Sequence, residues 1–199
     1  MVTTNFPDGV TNAPVDNFLG DYGAPDPLRY IQFADDFFSF SGATTGANFD
    51  WVITTNAAGV VTVTDANGGI ISVSNVTVTE DLFTWVQQHG GNLTTDVAET
   101  WKLIAGKKTW FKARFSLADV LQSDIIVGLV SANVTPFAAI VDGIYFAKVD
   151  GSAALTLNLT KNSTTTSIAV TTLVAATMVE VAFEYDGATV VSAYVNGAR

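Results

Sequence analysis

The residue types that most often carry out chemistry are sparse in this sequence. It contains one histidine, His89, and no cysteine. Zinc sites and nucleophilic triads need a histidine with further ligands or an orienting carboxylate, and His89 stands in QQHGG beside a glycine turn with no second histidine in the chain. We interpret His89 as a loop residue. Thiol nucleophiles, disulfides and thiolate metal sites are excluded.

Carboxylates are the remaining candidates for catalysis, and the best group is Glu180, Glu184 and Asp186 in VEVAFEYDG. A retaining glycosidase needs two carboxyl groups about 5 to 5.5 Å apart. Strand alternation places Glu180 and Glu184 opposite the apolar residues of this segment, while Asp186 begins a turn. This pattern is typical of a solvated outer face, so we expect no enzymatic activity.

Acidic turn residues offer oxygen ligands of the kind that Ca²⁺ prefers, at Asp35-Asp36, Asp142 and Asp150. They do not form a spaced loop motif such as an EF-hand. We therefore expect no metal and no cofactor.

One tryptophan shares a strand with basic residues. In TWFKARF, Trp110 is in phase with Lys112 and Arg114, the outward set of that strand, whereas a buried Trp in a β-sandwich usually fills the core. We expect Trp110 to lie at a surface or interface. Together, the four tryptophans could form a stacking platform for sugars; the others are Trp51, Trp85 and Trp101.

The basic strip is defined as Lys107, Lys108, Lys112 and Arg114, the one concentrated basic region of the chain. The first 100 residues contain 12 acidic residues and a single base, Arg29. We expect the basic strip and Trp110 to form an intersubunit interface with the acidic half of a neighbour, which raised salt should weaken.

The elements that carry these residues fall into two regions. Residues 1–34 combine four prolines with apolar side chains, which predicts an extended arm rather than a disordered tail. This arm either packs along its own domain or lies across a neighbouring subunit. The expected interface residues of the arm are Phe6, Val10, Val15, Phe18, Leu19, Tyr22, Leu28 and Tyr30.

Residues 35–199 show the period-2 alternation of short strands, as in VVTVT and LTLNLT, separated by turn sequences. Leu117 to Gln122, after Ser116, could form one or two helical turns at most. Many strands with almost no helix predict an all-β jelly-roll or β-sandwich domain. The turn sequences are Asn67-Gly68-Gly69, Gly90-Gly91-Asn92, Gly106, Asp142-Gly143, Asp150-Gly151, Asp186-Gly187 and Asn196-Gly197.

Composition narrows the classes of partner. The net charge is −10, so nucleic acid is a poor partner, and the longest apolar stretches, such as Ile125 to Val130, are too short to span a membrane. The first residues lack the basic and apolar parts of a secretory signal. Only 14% of the residues are charged, which favours a surface that is covered by assembly.

The segment from Val179 to Arg199, with its Tyr-Asp-Gly and Tyr-Val-Asn-Gly turns, resembles the hairpin of concanavalin-like and laminin-G-like jelly rolls. The glucanase motif of those families, Glu-x-Asp-x-x-Glu, is broken here because Thr189 follows Glu184 and Asp186 at the required position. The strand that should pair back after Asn196-Gly197 is either part of a longer gene product or supplied by a neighbouring subunit.

The whole layout, from TTNFPDGVTNA through ADDFFSF to ETWKLIAGKKTWFKARF and EYDG, resembles head proteins of tailed bacteriophages, especially capsid decoration or cement proteins. This resemblance implies a virion protein made in the bacterial cytoplasm. It would sit on the outer capsid surface as a trimer and bind the major capsid protein. The alternative is a carbohydrate-binding jelly-roll module on a virion or cell surface.

Overall fold

The computed structural model describes residues 33, 35, 37, 42–43, 51–55, 60–64, 69–74, 83–87, 101–131 and 140–199. The chain divides into two compact units, Met1–Thr100 and Trp101–Arg199. This division falls inside the region predicted as one β domain. The arm residues from Phe6 to Tyr30 lie outside the described residues, and so does residue 34 at the predicted boundary. The arm stays a prediction.

The first unit contains five described strands, β1 to β5, which form a mixed sheet in the order β1-β2-β5 and a hairpin of β3 and β4. Asn67 and Gly68 of the predicted turn Asn67-Gly68-Gly69 lie outside the described residues. The Trp51 ring contacts the rings of Phe33 and Phe37, with centroids 5.6 and 6.0 Å apart, and its indole N–H donates to Asp35 Oδ2 at 2.6 Å. The strands are β1 Gly42–Ala43, β2 Trp51–Thr55, β3 Val60–Thr64, β4 Ile70–Ser74 and β5 Phe83–Gln87.

The second unit is a β-sandwich. A four-stranded antiparallel sheet, β10-β9-β8-β7, packs on a three-stranded antiparallel sheet, β12-β11-β6. The strands are β6 Thr109–Phe115, β7 Ile125–Val130, β8 Gly143–Lys148, β9 Ala154–Lys161, β10 Thr164–Thr172, β11 Val179–Tyr185 and β12 Val191–Val195. The all-β prediction is confirmed, and no helix is present in the described ranges that is long and apolar enough to cross a membrane.

Period-2 alternation explains the core between the two sheets. Leu155 and Leu157 of β9 and Val181 and Phe183 of β11 are buried, while the residues between them face outward. Phe146 of β8 contacts the Phe183 ring across the sandwich, with ring centroids 6.3 Å apart. Each such burial stabilises the fold by about 1.5–3 kcal/mol.

The short helix considered for Leu117 to Gln122 is absent. Asp119 is the reason, because its Oδ1 accepts the backbone N–H groups of Leu121 and Gln122 at 2.7 and 3.1 Å. A side chain that satisfies these donors locally competes with the helical hydrogen bonds. The helix prediction was therefore wrong, and the segment is an Asx-type loop.

The turn at Asn196-Gly197 is confirmed. Both residues have positive φ, 49° and 78°, and Val195 and Ala198 exchange backbone hydrogen bonds across them. These angles match a type I′ hairpin turn, in which Asn and Gly are favoured. Residues Asn162 and Ser163 form a comparable turn between β9 and β10, which the sequence analysis missed because it contains no glycine.

Candidate binding surfaces

The outer face of the three-stranded sheet brings together two groups of residues that the sequence analysis treated separately. Because β11 pairs with β6, Glu180 lies opposite Arg114 and Glu184 lies opposite Trp110. Trp110 is 56% exposed, as its phase along the strand predicts. We call this surface the Trp110 face. Its members are Lys108, Trp110, Lys112, Arg114, Glu180, Ala182, Glu184, Ser192 and Tyr194.

Two ion pairs cross the Trp110 face and join β11 to β6 and the residue just before it, Lys108. Lys108 Nζ lies 2.8 Å from Glu184 Oε1, and Lys112 Nζ lies 2.8 Å from Glu180 Oε2. Two members of the basic strip therefore bind carboxylates of their own sheet. Pairing of the strip with the acidic half of another subunit stays a prediction.

The Lys108–Glu184 ion pair shifts the pKa of both partners. The hydrogen bond from Lys108 is the main cause that lowers the pKa of Glu184, and the Trp110 side chain opposite it lowers this pKa further. The hydrogen bond to Glu184 raises the pKa of Lys108. At neutral pH the Glu184 carboxylate is therefore ionised and accepts the Lys108 ammonium group.

Asp186 shapes the turn that joins β11 to β12. Its Oδ1 accepts backbone N–H groups from Ala188, Thr189 and Val190 at 2.7, 2.9 and 3.0 Å, and these bonds, led by the one from Val190, lower its pKa. Gly187 is required in this turn, because its φ is +84° and a Cβ there would meet the Lys107 backbone nitrogen at 2.7 Å. The carboxylates considered for catalysis thus have structural contacts.

A second surface lies at one end of the sandwich, where three loops meet. Residues 116–124, 149–153 and 173–178 join β6 to β7, β8 to β9 and β10 to β11. We call this surface the apolar end. It exposes Leu121 (50%), Val149 (59%), Val174 (65%) and Met178 (39%).

Backbone hydrogen bonds tie these loops to one another. Gly151 donates to the Leu121 carbonyl at 2.8 Å, and Ala176 donates to the Leu117 carbonyl at 2.7 Å. Lys148, buried at the end of β8, donates to the Ser123 carbonyl. The loops contain three aspartates and no lysine or arginine, so the apolar end has an acidic rim. The sequence signal was the apolar run LVAATM between two strands, which the sequence analysis did not single out.

Two of the acidic residues considered as Ca²⁺ ligands bind groups of the protein itself. Asp142 Oδ1 accepts the Asn162 N–H at 3.0 Å, and Asp35 binds Trp51, so both carboxylates have structural contacts. Within the part of the chain that the structure describes, no three His, Asp or Glu side chains are close enough to hold a metal ion. His89 and Asp36 lie outside the described residues.

Comparison with known proteins finds no match: no protein-family model, no curated protein and no solved structure is similar to this chain.

Proposed function

We propose that this chain is a structural, non-enzymatic virion protein of a tailed bacteriophage that decorates and cements the outer surface of the head shell. It binds the major capsid protein and assembles as a homotrimer after synthesis in the bacterial cytoplasm. The resemblance of its layout to capsid decoration proteins supports this proposal. Among the structural observations, the apolar end carries it.

The apolar end has the properties of a protein-docking surface. Four large apolar side chains from three loops are exposed at the same end of the sandwich, and such a cluster differs from apolar residues scattered singly over a surface. Hydrogen bonds between the loops hold them in place before binding, which lowers the entropic cost of association. The apolar centre and acidic rim match the usual anatomy of interfaces.

Assembly as a trimer makes modest contacts sufficient. Once one subunit of a trimer has docked, the contacts of the others become intramolecular, and avidity can exceed a single affinity by about 10² to 10⁴. The arm of residues 1–34 adds apolar side chains to these contacts. Each buried square ångström of apolar area contributes about 25 cal/mol before the costs of ordering are counted.

Co-sedimentation with empty shells of the major capsid protein of the same virus tests this function. We expect the wild-type chain to pellet with shells, and Val174→Asp and the variant lacking residues 1–34 to remain in the supernatant. Val190→Asp is the matched control, because Val190 is also exposed but lies in the turn at the opposite end of the sandwich. Unchanged loading of Val174→Asp would count against the apolar end, and loading of neither wild type nor control would count against the function.

A further inference from the structure

We propose that the Trp110 face is a carbohydrate-binding site for an uncharged polysaccharide, with a pyranose ring stacked on the Trp110 indole. This proposal does not depend on capsid decoration, because it uses a different surface from the apolar end. Three features of the Trp110 face support it: the exposure of the indole, the polar groups beside it and the balance of charge.

The indole is exposed on a strand beside an ion pair. Trp110 is 56% exposed, and it is the one aromatic among the large, exposed apolar side chains of the described residues. It lies opposite Glu184, which is bound to Lys108 at 2.8 Å. Polar side chains beside an exposed aromatic ring can orient a sugar whose apolar face stacks on that ring.

Polar groups lie beside the indole along β6 and across the sheet on β11 and β12. Lys112 follows Trp110 on the same face at about 7 Å along β6 and pairs with Glu180. Ser192 lies opposite Glu184 on β12, and Tyr194 lies opposite Ala182. Ala182 has a small side chain, so the surface is low between Lys112 and Tyr194. A ring on Trp110 therefore has ammonium groups along β6, carboxylates on the neighbouring strand β11 and hydroxyl groups farther across the sheet on β12.

Charge favours an uncharged ligand. The two ion pairs neutralise the charges beside Trp110, while still offering donors and acceptors to sugar hydroxyls. Residues 101–199, which include the Trp110 face, contain 8 basic and 7 acidic residues, so this unit has little net charge to attract a charged polymer at long range. Binding to an uncharged sugar should also be insensitive to salt, unlike a contact formed by opposite charges.

Affinity electrophoresis of the full chain in gels containing dextran, mannan or galactomannan tests this site. We expect at least one of these neutral polysaccharides to retard the wild-type chain equally at low and at 0.5 M salt. We expect Trp110→Ala to weaken retardation at least tenfold, and Trp110→Phe to keep part of it because a ring remains. Ile168→Ala is the matched control, because Ile168 is also 56% exposed but lies on β10 of the other sheet.

Three outcomes would overturn the proposal: no retardation by any of these polysaccharides, equal retardation of wild type and Trp110→Ala, or retardation that salt abolishes. Co-sedimentation of Trp110→Ala with capsid shells separates the two functions. Normal loading together with lost sugar binding supports separate surfaces. Loss of loading would instead assign the Trp110 face to a protein partner and overturn the carbohydrate site.

Discussion

The two sheets of the sandwich have outer faces of opposite character, although both arise from the same strand alternation. The Trp110 face carries two ion pairs and an exposed indole. On the outer face of the four-stranded sheet, Tyr145, Asn158 and Thr160 are uncharged and buried. Alternation therefore identifies the side of a strand that points away from the core, but it does not tell whether that side meets solvent.

The buried outer face is held by a chain of hydroxyl groups and by close backbone packing. The Tyr145 hydroxyl lies 3.1 Å from Thr160 Oγ1, which lies 2.8 Å from Thr165 Oγ1. Ile140 packs against Tyr145 and Ala147 on the same side. Within the described part of the chain, the buried Asn158 Oδ1 accepts no hydrogen bond, which is a local cost to stability. Substitutions on this face should therefore affect folding, whereas those on the Trp110 face should affect binding.

Gly128→Ala should give the largest change in stability. Gly128 lies opposite Tyr145, and a Cβ there would meet the Tyr145 Cα at 2.5 Å and the Ile144 carbonyl oxygen at 2.6 Å. We expect the free energy of unfolding to fall by about 1–3 kcal/mol, measured by urea denaturation. Ser192→Ala on the Trp110 face is the control and should stay within about 0.5 kcal/mol. Equal effects would remove the contrast between the faces.

Tyr145→Phe should have a smaller effect. It removes the hydroxyl next to Thr160 and keeps the ring, so we expect a loss of about 1 kcal/mol in the free energy of unfolding. Tyr194→Phe is the matched control on the Trp110 face and should change stability by less than about 0.5 kcal/mol. A larger loss for Tyr194→Phe than for Tyr145→Phe would contradict this assignment of the faces.

Acid should give the smallest change in stability of the three, through the ion pair of Glu184 on the Trp110 face. The folded pKa of Glu184 lies below its unfolded value, chiefly because of the hydrogen bond from Lys108, so its stabilising contribution is present above about pH 4.3 and is lost as the pH falls through the folded pKa. In thermal melts, the melting temperatures of wild type and Glu184→Gln should therefore differ less at about pH 3 than at about pH 6. A difference that is constant over this range would show that the pair contributes nothing through ionisation.

The sequence predicts the local features of this molecule well. Alternation identified Trp110 as outward-facing, and Asn196-Gly197 formed the predicted turn, because each depends on a few consecutive residues. The pairing of Glu180 with Lys112 could not be predicted, because it requires the register of strands about 70 residues apart in the chain. The helix predicted at Leu117 to Gln122 does not form, because the Asp119 side chain accepts the backbone N–H of Leu121.

The burial of Tyr145 and Asn158 could not be predicted from the sequence either. Both residues look like ordinary outward positions, and only the tertiary structure shows that this face is covered. The apolar end was missed for a related reason, because three loops that are distant in sequence meet there. The arm of residues 1–34 lies almost wholly outside the described residues and remains a prediction from its composition.

Hydrogen–deuterium exchange of the chain, free and bound to empty capsid shells, tests most directly the claim that this protein works by docking through one end. We expect the amides of residues 116–124, 149–153 and 173–178 to gain protection on binding, while those of β6 keep their free-state exchange rates. Unchanged exchange in all three loops, or protection centred on β6 instead, would contradict it.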